Sequence, residues 1–341
     1  MWVTSSPATA LTPTAVALGN FDGIHRGHQK VIQPILHESR VLSILDEPSQ
    51  FENSDLSELL GGFSQPPDGG TDRIYATMAT FHPHPREFFS GQAWKLLTPR
   101  LEKVQQLSLF GIEQLVLLPF DRELAALSPQ QFVEKILVQQ LQATHVSVGA
   151  DFRFGHRRTG TSSDLKMLAS AYGVNVTIVP LQTSQGERIS SSLIRQSLEQ
   201  GEIQKANRLL GRPYTLRGVV VKGQQLGRTI GFPTANLQLP PEKFLPQRGV
   251  YCVRVGNPAL TSLASSHLGV MNIGERPTVN GTTLTVEVHL LDWSEDLYGQ
   301  TLTVSLEKFL RPEQKFPSLD ALKTQIQADC VAARAFFEQG N

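Results

Sequence analysis

The first half of the chain alternates between short apolar runs and longer segments whose apolar residues recur at helical spacing. The apolar runs predict β-strands and the periodic segments predict helices between them, so we expect a parallel, doubly wound α/β sheet. The predicted strands cover residues 16–18, 74–81, 114–120, 145–148 and 174–179, and the predicted helices cover 29–36, 99–110, 128–141 and 163–172. In the helix at 99–110 the apolar face is expected at Leu101, Val104, Leu107 and Leu109.

The pattern changes after Gly211-Arg-Pro213. From there on, short β-branched runs are separated by Gly and Pro, and no long helical segment lies between them. This texture predicts a six-stranded antiparallel β-barrel followed by a C-terminal helix. The predicted strands are 215–221, 235–239, 249–255, 269–273, 283–291 and 301–310, and the helix is 318–337, with Leu319, Leu322, Ile326 and Val331 on its apolar face.

This change in the hydrophobic pattern divides the chain into two domains, and 341 residues are enough to give each domain a hydrophobic core. We expect the first domain at 12–196, a helical linker at 197–212 and the second domain at 213–341. Residues 39–73 interrupt the first domain with acidic residues, prolines and paired glycines. They are expected to form a surface insertion peripheral to the chemistry.

The net charge and the cysteine content indicate which partners and which cellular compartment to expect. The 31 basic and 31 acidic residues cancel, so any phosphate binding must be local, and neither nucleic acid nor a membrane is an expected partner. Cys252 and Cys330 stand in no metal-ligand spacing, no basic residue precedes Arg26, and no apolar run reaches membrane-spanning length. We expect a cytoplasmic protein without disulfides, whose oligomeric state the sequence does not indicate.

The first candidate site is the loop Gly19-Asn-Phe-Asp-Gly-Ile-His-Arg-Gly-His28, between a predicted strand and a predicted helix. Its glycines allow backbone N–H groups to approach a phosphate, and His25 and His28 can donate to phosphate oxygens. The glycine spacing by itself favours an ordinary flexible loop with solvated histidines, because it is neither the dinucleotide fingerprint nor a P-loop.

Three further segments follow predicted strands, at the sheet edge where α/β proteins bind ligands. His82-Pro-His-Pro85 forms a stiff turn, which is also an ordinary strand exit. Gly149-Ala-Asp-Phe-Arg-Phe-Gly155 offers aromatic rings to a flat heterocycle, unless its phenylalanines pack under the sheet. Ile189-Ser-Ser-Ser-Leu-Ile-Arg195 provides helix-capping serines that also suit a triphosphate.

In the second half the polar candidates lie in a glycine-rich stretch and on one strand. Thr234 and Asn236 are two residues apart, so their oxygens share one side of a strand and suit Mg²⁺ with ATP phosphates. The other interpretation is a glycine-rich hairpin with polar strand residues. Glu287 alternates with Val286 and Val288, opposite to the apolar face. Most such carboxylates are merely solvated, but one can accept the hydroxyl proton in a kinase.

These strings resemble a known family. His-x-Gly-His at 25–28 resembles the nucleotidylyltransferase signature, and the segments at 19–28, 80–88, 149–155 and 189–195 resemble prokaryotic FAD synthetases. Gly231-Phe-Pro-Thr-Ala-Asn236 resembles riboflavin kinases. The resemblance to bifunctional riboflavin kinase/FAD synthetases covers nearly the whole chain. It departs at the insertion and at Asp151, where some relatives carry Asn, which affects only the detail of flavin or adenine contact.

The resemblance implies a Rossmann-like nucleotidylyltransferase domain and a riboflavin kinase barrel, with ATP as co-substrate and riboflavin, FMN and FAD as substrates and products. It implies Glu287 as general base, with His25, His28 and Arg195 as catalytic residues of the first domain. The implied nucleotide-binding residues are Gly19, Asp22, Gly27, Ser190, Ser191, Gly223, Gly227, Thr234 and Asn236, of which Thr234 and Asn236 also hold Mg²⁺. The implied flavin-binding residues are His84, Asp151, Phe154 and Arg311.

Two alternatives stay open on the sequence. One is a riboflavin kinase whose N-terminal half is inactive. The other is a flavin-sensing binding protein without turnover, against which the neutral charge and the lack of a helix-turn-helix pattern count.

Overall fold

The computed structural model describes residues 1–41, 73–223, 226–256, 266–278 and 281–339. Residues 42–72, which make up most of the predicted insertion, lie outside the described residues. The chain forms two compact units, Met1–Ser190 and Ser191–Asn341.

The first unit is built on a parallel sheet. Its strands are β1 (Trp2–Thr4), β2 (Thr14–Leu18), β3 (Tyr75–His82), β4 (Gln114–Pro119), β5 (Ala143–Gly149), β6 (Arg153–Phe154), β7 (Gly160–Thr161), β8 (Asn175–Val179), β9 (Thr183–Ser184) and β10 (Glu187–Arg188). Six of them form one sheet in the order β1-β4-β3-β2-β5-β8, with every neighbouring pair parallel. The predicted parallel sheet is confirmed. It gains the edge strand β1, which is too short to leave a pattern.

Helices cover both faces of this sheet. They are α1 (Arg26–Val41), α2 (Pro85–Ser90), α3 (Arg100–Leu109), α4 (Arg122–Ala126), α5 (Pro129–Phe132) and α6 (Ser162–Ser170). Helix α5 begins with a capping box between Ser128 and Gln131 and continues as a π-helical segment, Val133–Gln140. The single helix predicted at 128–141 is therefore two successive helix types. Both faces of the sheet are buried, which is why its central strands read as continuous apolar runs.

The buried face of α3 differs from the predicted one. Leu101 and Leu109 are 45% and 81% exposed, whereas Glu102 and Lys103 are buried together with Leu107. The prediction of an apolar face through Leu101 and Leu109 is wrong because charged side chains occupy the inward positions.

The second unit begins with α7 (Ser191–Glu199) and α8 (Ile203–Leu210) and continues into a closed barrel. The barrel order is β11-β12-β15-β14-β13-β16, all pairs antiparallel, as the sequence predicts. Its elements are β11 (Tyr214–Val221), α9 (Leu226–Thr229), β12 (Ala235–Gln238), β13 (Gly249–Gly256), β14 (His267–Thr278), β15 (Gly281–Leu290), β16 (Thr301–Pro312) and the closing helix α10 (Leu319–Gln339).

Helix α10 packs on the outside of the barrel. Its buried residues include Cys330, Ala333 and Phe337, which share a cluster with Val250 and Cys252 of β13. The predicted face is again partly wrong, since Leu319 and Val331 are 65% and 56% exposed. Both cysteines are buried free thiols in this cluster.

The loop between β12 and β13 holds α7. Tyr214 of β11 donates its hydroxyl to the carbonyl of Phe244 at 2.6 Å, which fixes the loop to the barrel. The N–H of Gln247 donates to the carbonyl of Leu198 on α7 at 2.9 Å, and the guanidinium of Arg195 lies 4.7 Å from the centre of the Phe244 ring. A loop of the barrel therefore positions the helix that carries Arg195.

Candidate active sites

Buried side chains anchor the loop between β2 and α1. Phe21 and Ile24 have φ of 46° and 43°, values uncommon for residues other than glycine, and both side chains are buried. The carbonyl of Asn20 accepts a hydrogen bond from the Thr80 hydroxyl at 3.0 Å. The strained backbone persists because its side chains are fixed in the core. His25 is buried, in contrast to the interpretation with solvated histidines.

His25 and His28 are brought together by this loop. Their rings stack with centroids 3.6 Å apart and an angle of 13° between planes. The backbone N–H of His28 donates to Nδ1 of His25 at 3.2 Å, so Nδ1 carries no proton and the neutral His25 ring holds its proton on Nε2. A Cβ at Gly27 would lie 3.2 Å from the His25 ring, so glycine provides the space for this arrangement.

Burial favours the neutral form of both imidazoles. It lowers the pKa of His25 from 6.5 to about 4. The pKa of His28 is also well below its ordinary value, through burial first and then the charges of His25 and Lys103. Within the described ranges, the buried Nδ1 of His28 has no hydrogen-bond partner. A buried polar atom of this kind is suited to a ligand.

Two buried residues of opposite charge lie at this site, Asp22 in the loop and Lys103 on α3. Asp22 is 3% exposed, and its Oδ1 accepts the N–H of Thr98 at 3.2 Å. Lys103 is 8% exposed and donates from Nζ to the carbonyl of Asn20 at 3.2 Å. Asp22 was a predicted nucleotide-binding residue. Lys103 was not predicted as a site residue. The sequence pointed to it only by placing a lysine between apolar positions of a helix, Leu101 and Val104.

The remaining predicted residues of the first unit have different surroundings. His84 accepts the N–H of Arg86 at its Nδ1 and stacks on Trp94, with ring centroids 5.6 Å apart. Asp151 pairs with Arg188, and the charges of both act on His25. Asp151 therefore lies close to the histidine pair.

Phe154 occupies the core. Its ring is 4% exposed and packs 5.5 Å from that of Phe132, between centroids. A Cβ at Gly160 would lie 2.7 Å from the same ring. This placement corresponds to the alternative interpretation of the segment, in which the phenylalanine packs under the sheet.

The serine segment spans the division between the units. Ser190 is the last residue of the first unit, whereas Ser191 and Arg195 lie on α7 in the second. The residue before Ser190, Ile189, donates its N–H to the carbonyl of Gln182 at 2.9 Å. A Cβ added at Gly27 would lie 4.0 Å from the Cβ of Gln182. The segment that precedes Ser190 therefore passes close to the loop that carries His25 and His28, which we call the histidine loop.

In the barrel, strand register assembles a second polar cluster. Glu287 of β15 lies opposite Asn236 of β12 on one side and Asn272 of β14 on the other. The hydroxyl of Thr234 donates to Oε2 of Glu287 at 3.4 Å. Three predicted residues, Thr234, Asn236 and Glu287, are therefore neighbours on one face.

The glycine-rich stretch lies directly against this cluster. A Cβ at Gly223 would lie 2.4 Å from Nδ2 of Asn236, and one at Gly227 would lie 2.3 Å from the carbonyl of Phe232. Nδ1 of His289 donates to the carbonyl of Pro233 at 2.9 Å, which fixes the backbone next to Thr234. The glycines thus allow a backbone approach that any side chain would block.

Arg311 is engaged by α10. Its guanidinium makes a bidentate pair with Asp329, with Nε–Oδ1 at 3.0 Å and Nη2–Oδ2 at 2.7 Å. Asp329 is 5% exposed, so the pair joins the end of β16 to the closing helix. Any contact with flavin from the predicted Arg311 would add to this structural role.

The comparisons with known proteins cover both units. A family model described as FAD synthetase matches residues 8–53 and 69–193, and one described as riboflavin kinase matches residues 210–337. A bifunctional riboflavin kinase/FMN adenylyltransferase of Escherichia coli K12 is 39% identical over 94% of this chain and 92% of its own length. Proteins with the same description from Haemophilus influenzae and Bacillus subtilis are 36% and 33% identical, each over 95% of this chain and 94% and 92% of their own lengths.

The chain belongs to the bifunctional riboflavin kinase/FMN adenylyltransferase family.

A solved structure agrees with this family membership in fold. A Streptococcus pneumoniae protein titled a macrolide-efflux protein has a TM-score of 0.77 and 29% identity, over 97% of this chain and 98% of its own. In the described part of this chain, no helix combines the length and apolar character needed to cross a membrane.

The polar cluster of the barrel contains oxygen atoms that could bind a metal ion. No group of three or more His, Cys, Asp or Glu side chains suited to a metal occurs among the described residues. The Thr234 hydroxyl, the Asn236 amide and the Glu287 carboxylate nevertheless lie together, and such oxygens suit Mg²⁺ when phosphates supply the other ligands.

Proposed function

We propose that this chain makes FAD from riboflavin in two steps. The barrel transfers the γ-phosphoryl group of ATP to the terminal ribityl hydroxyl and gives FMN and ADP. The first unit then adenylylates FMN with a second ATP and gives FAD and pyrophosphate. The observation that carries the proposal is that both family models match this one chain, each over the part that contains its own polar cluster.

For the kinase step we assign the general base to Glu287. Thr234 donates to Oε2, and the Glu287 carboxylate would accept the ribityl hydroxyl proton and direct that oxygen at the γ-phosphorus. Gly223, Gly227, Thr234 and Asn236 would bind the nucleotide, because the close glycine backbone allows phosphates to approach. Thr234 and Asn236 would hold Mg²⁺, which neutralises phosphate charge when bound.

For adenylyl transfer we assign phosphate contacts to His25 and His28. A phosphate oxygen of FMN attacks the α-phosphorus of ATP, and pyrophosphate leaves with the electrons of the broken bond, so no covalent enzyme intermediate is needed. The Nε2–H of His25 can donate to the α-phosphate as charge accumulates there.

The supporting residues follow the family motifs. Gly19, Asp22, Gly27, Ser190 and Ser191 are proposed nucleotide-binding residues, with Arg195 as a further catalytic residue. His84 and Asp151 are the proposed flavin contacts, while Phe154 and Arg311 act through packing and the Asp329 pair. We propose an adenylyltransferase domain at 12–196, a linker at 197–212 and a kinase domain at 213–341.

The two buried free thiols and the absence of net charge support a cytoplasmic location with no nucleic-acid or membrane partner.

A chromatographic time course tests the proposal. Purified protein is mixed with riboflavin and Mg-ATP, and riboflavin, FMN and FAD are quantified separately. FMN is expected first and FAD second. Glu287→Gln should lower FMN formation by about 10²–10⁴-fold and still convert supplied FMN to FAD. His28→Ala should show the opposite pattern.

The outcomes separate the alternatives. FMN accumulation without FAD, even from supplied FMN, would leave only a riboflavin kinase. Flavin binding without riboflavin-dependent ATP consumption would indicate a sensor and overturn both activities.

A further inference from the structure

Lys103 is an unusual residue to find below the histidine loop. Lysine is rarely buried unless its charge is paired, because desolvating an ammonium group is costly. Here the side chain is 8% exposed, and it reaches from α3 to the backbone of the loop. Leu101 and Leu109 of the same helix remain exposed while this cation points inward.

The amine has two partners in the loop. Its Nζ donates to the carbonyl of Asn20, which also accepts from the Thr80 hydroxyl. Burial lowers the pKa of the Lys103 amine, and the opposite charge of Asp22 acts against this by favouring the charged form. The carbonyl and the carboxylate flank Phe21, the first of the residues with positive φ, so the amine fixes the strained part of the loop.

The positive charge of Lys103 also acts on His28, one of the two histidines proposed to contact phosphate. Lys103 is one of the two neighbouring charges that lower the pKa of His28, the other being His25. The remaining charged groups that act on the histidine pair are Asp22 in the loop, and Asp151 and Arg188 beside His25. A cation below the loop therefore favours the neutral form of the His28 imidazole.

We propose that Lys103 is a positioning residue for adenylyl transfer, holding Asn20 and Asp22 so that His25 and His28 stay stacked and directed at the nucleotide phosphates. The proposal rests on the proposed function of this loop and adds a residue outside its sequence motif. Its buried charge also contributes to the field in which phosphate charge accumulates.

Three substitutions separate the hydrogen bond from the charge. Lys103→Met removes both and keeps the length of the side chain. Lys103→Gln keeps a donor without the charge, and Lys103→Arg keeps donor and charge. Lys166→Met removes an exposed lysine of α6 and is the matched control. The kinase rate of each preparation reports whether the chain is folded and the barrel intact.

The readouts are kcat and KM for FMN adenylylation and the pH dependence of kcat. Lys103→Met is expected to lower kcat about 10–100-fold with little change in KM for FMN, and Lys103→Arg to recover most of it. Loss of the cation should move the acid limb of kcat to higher pH in the Met and Gln variants, because His28 is then protonated more easily. A merely structural role would leave that limb in place.

Several results would overturn the proposal. One is a Lys103→Met variant that keeps the wild-type kcat. Another is a loss of adenylylation matched by an equal loss of kinase rate, with the acid limb unmoved. If wild-type protein forms no FAD, the proposed function fails and the role of Lys103 fails with it. If wild type and Lys103→Met form FAD equally, only Lys103 is excluded.

Discussion

Burial of His25 makes the stability of the first unit dependent on pH. The imidazole has a pKa of about 4 in the folded protein and 6.5 when unfolded, so the unfolded chain takes up a proton more readily. The free energy of unfolding is therefore unaffected by this group above pH 6.5, and it decreases as the pH falls from 6.5 towards 4. At pH 5.0 the loss from this one group amounts to about 2 kcal/mol.

The perturbation is His25→Asn, whose amide oxygen can still accept the N–H of His28 but cannot titrate. From pH 7.5 to 5.0, wild type should lose about 2 kcal/mol more unfolding free energy than the variant. His156→Asn, which removes an exposed imidazole, should lose as much as wild type.

The assay must follow the first unit alone. Of the three tryptophans, Trp2 and Trp94 lie in the first unit and Trp293 in the second. A Trp293→Phe background therefore leaves fluorescence reporters only where they are needed, and urea unfolding is recorded at both pH values. Equal losses for wild type and His25→Asn, within about 0.5 kcal/mol, would refute the reasoning.

Two further predictions concern the second unit. Gly223→Ala would place a Cβ 2.4 Å from the Asn236 amide and should lower kcat/KM for ATP in the kinase step about tenfold. Adenylylation should be unchanged. The control for steady-state kinetics is Gly256→Ala, whose Cβ would lie 4.0 Å from the carbonyl of Thr303. Phe244→Leu removes the ring below Arg195 and should slow adenylylation about two- to fivefold without affecting the kinase rate. Phe244→Tyr keeps an aromatic ring and should adenylylate FMN at the wild-type rate. Equal adenylylation rates for all three proteins would contradict the role of the ring.

The architecture was predictable because both sheets leave strong patterns. Central parallel strands are buried on both faces and read as apolar runs, whereas barrel strands alternate and are punctuated by glycine and proline. Strand β1 was not predictable, since three residues carry no period, and the π-helical continuation of α5 gives the same apolar spacing as an α-helix.

The inward faces of two helices were not predictable for a different reason. Lys103 of α3 and Asp329 of α10 replace apolar residues there, and their partners, Asn20 and Arg311, lie on other elements of the chain. Periodicity contains no information on such pairs. The kinase cluster was predicted as separate motifs, but only the folded structure shows that Thr234 and Glu287, 53 positions apart, are neighbours.

The support of α7 by the barrel loop has a consequence for dividing this protein. The FAD synthetase family model ends at residue 193, inside α7, and the helix is hydrogen-bonded through Leu198 to a loop of the barrel. A fragment ending at 193 would cut the helix and lose Arg195, and one ending after α7 would keep Arg195 without its aromatic partner. The end of the FAD synthetase match at residue 193 is therefore a poor place to cut the chain when its domains are expressed separately. It lies inside a helix that packs with the barrel, so the boundary of the family match is not a boundary between folding units.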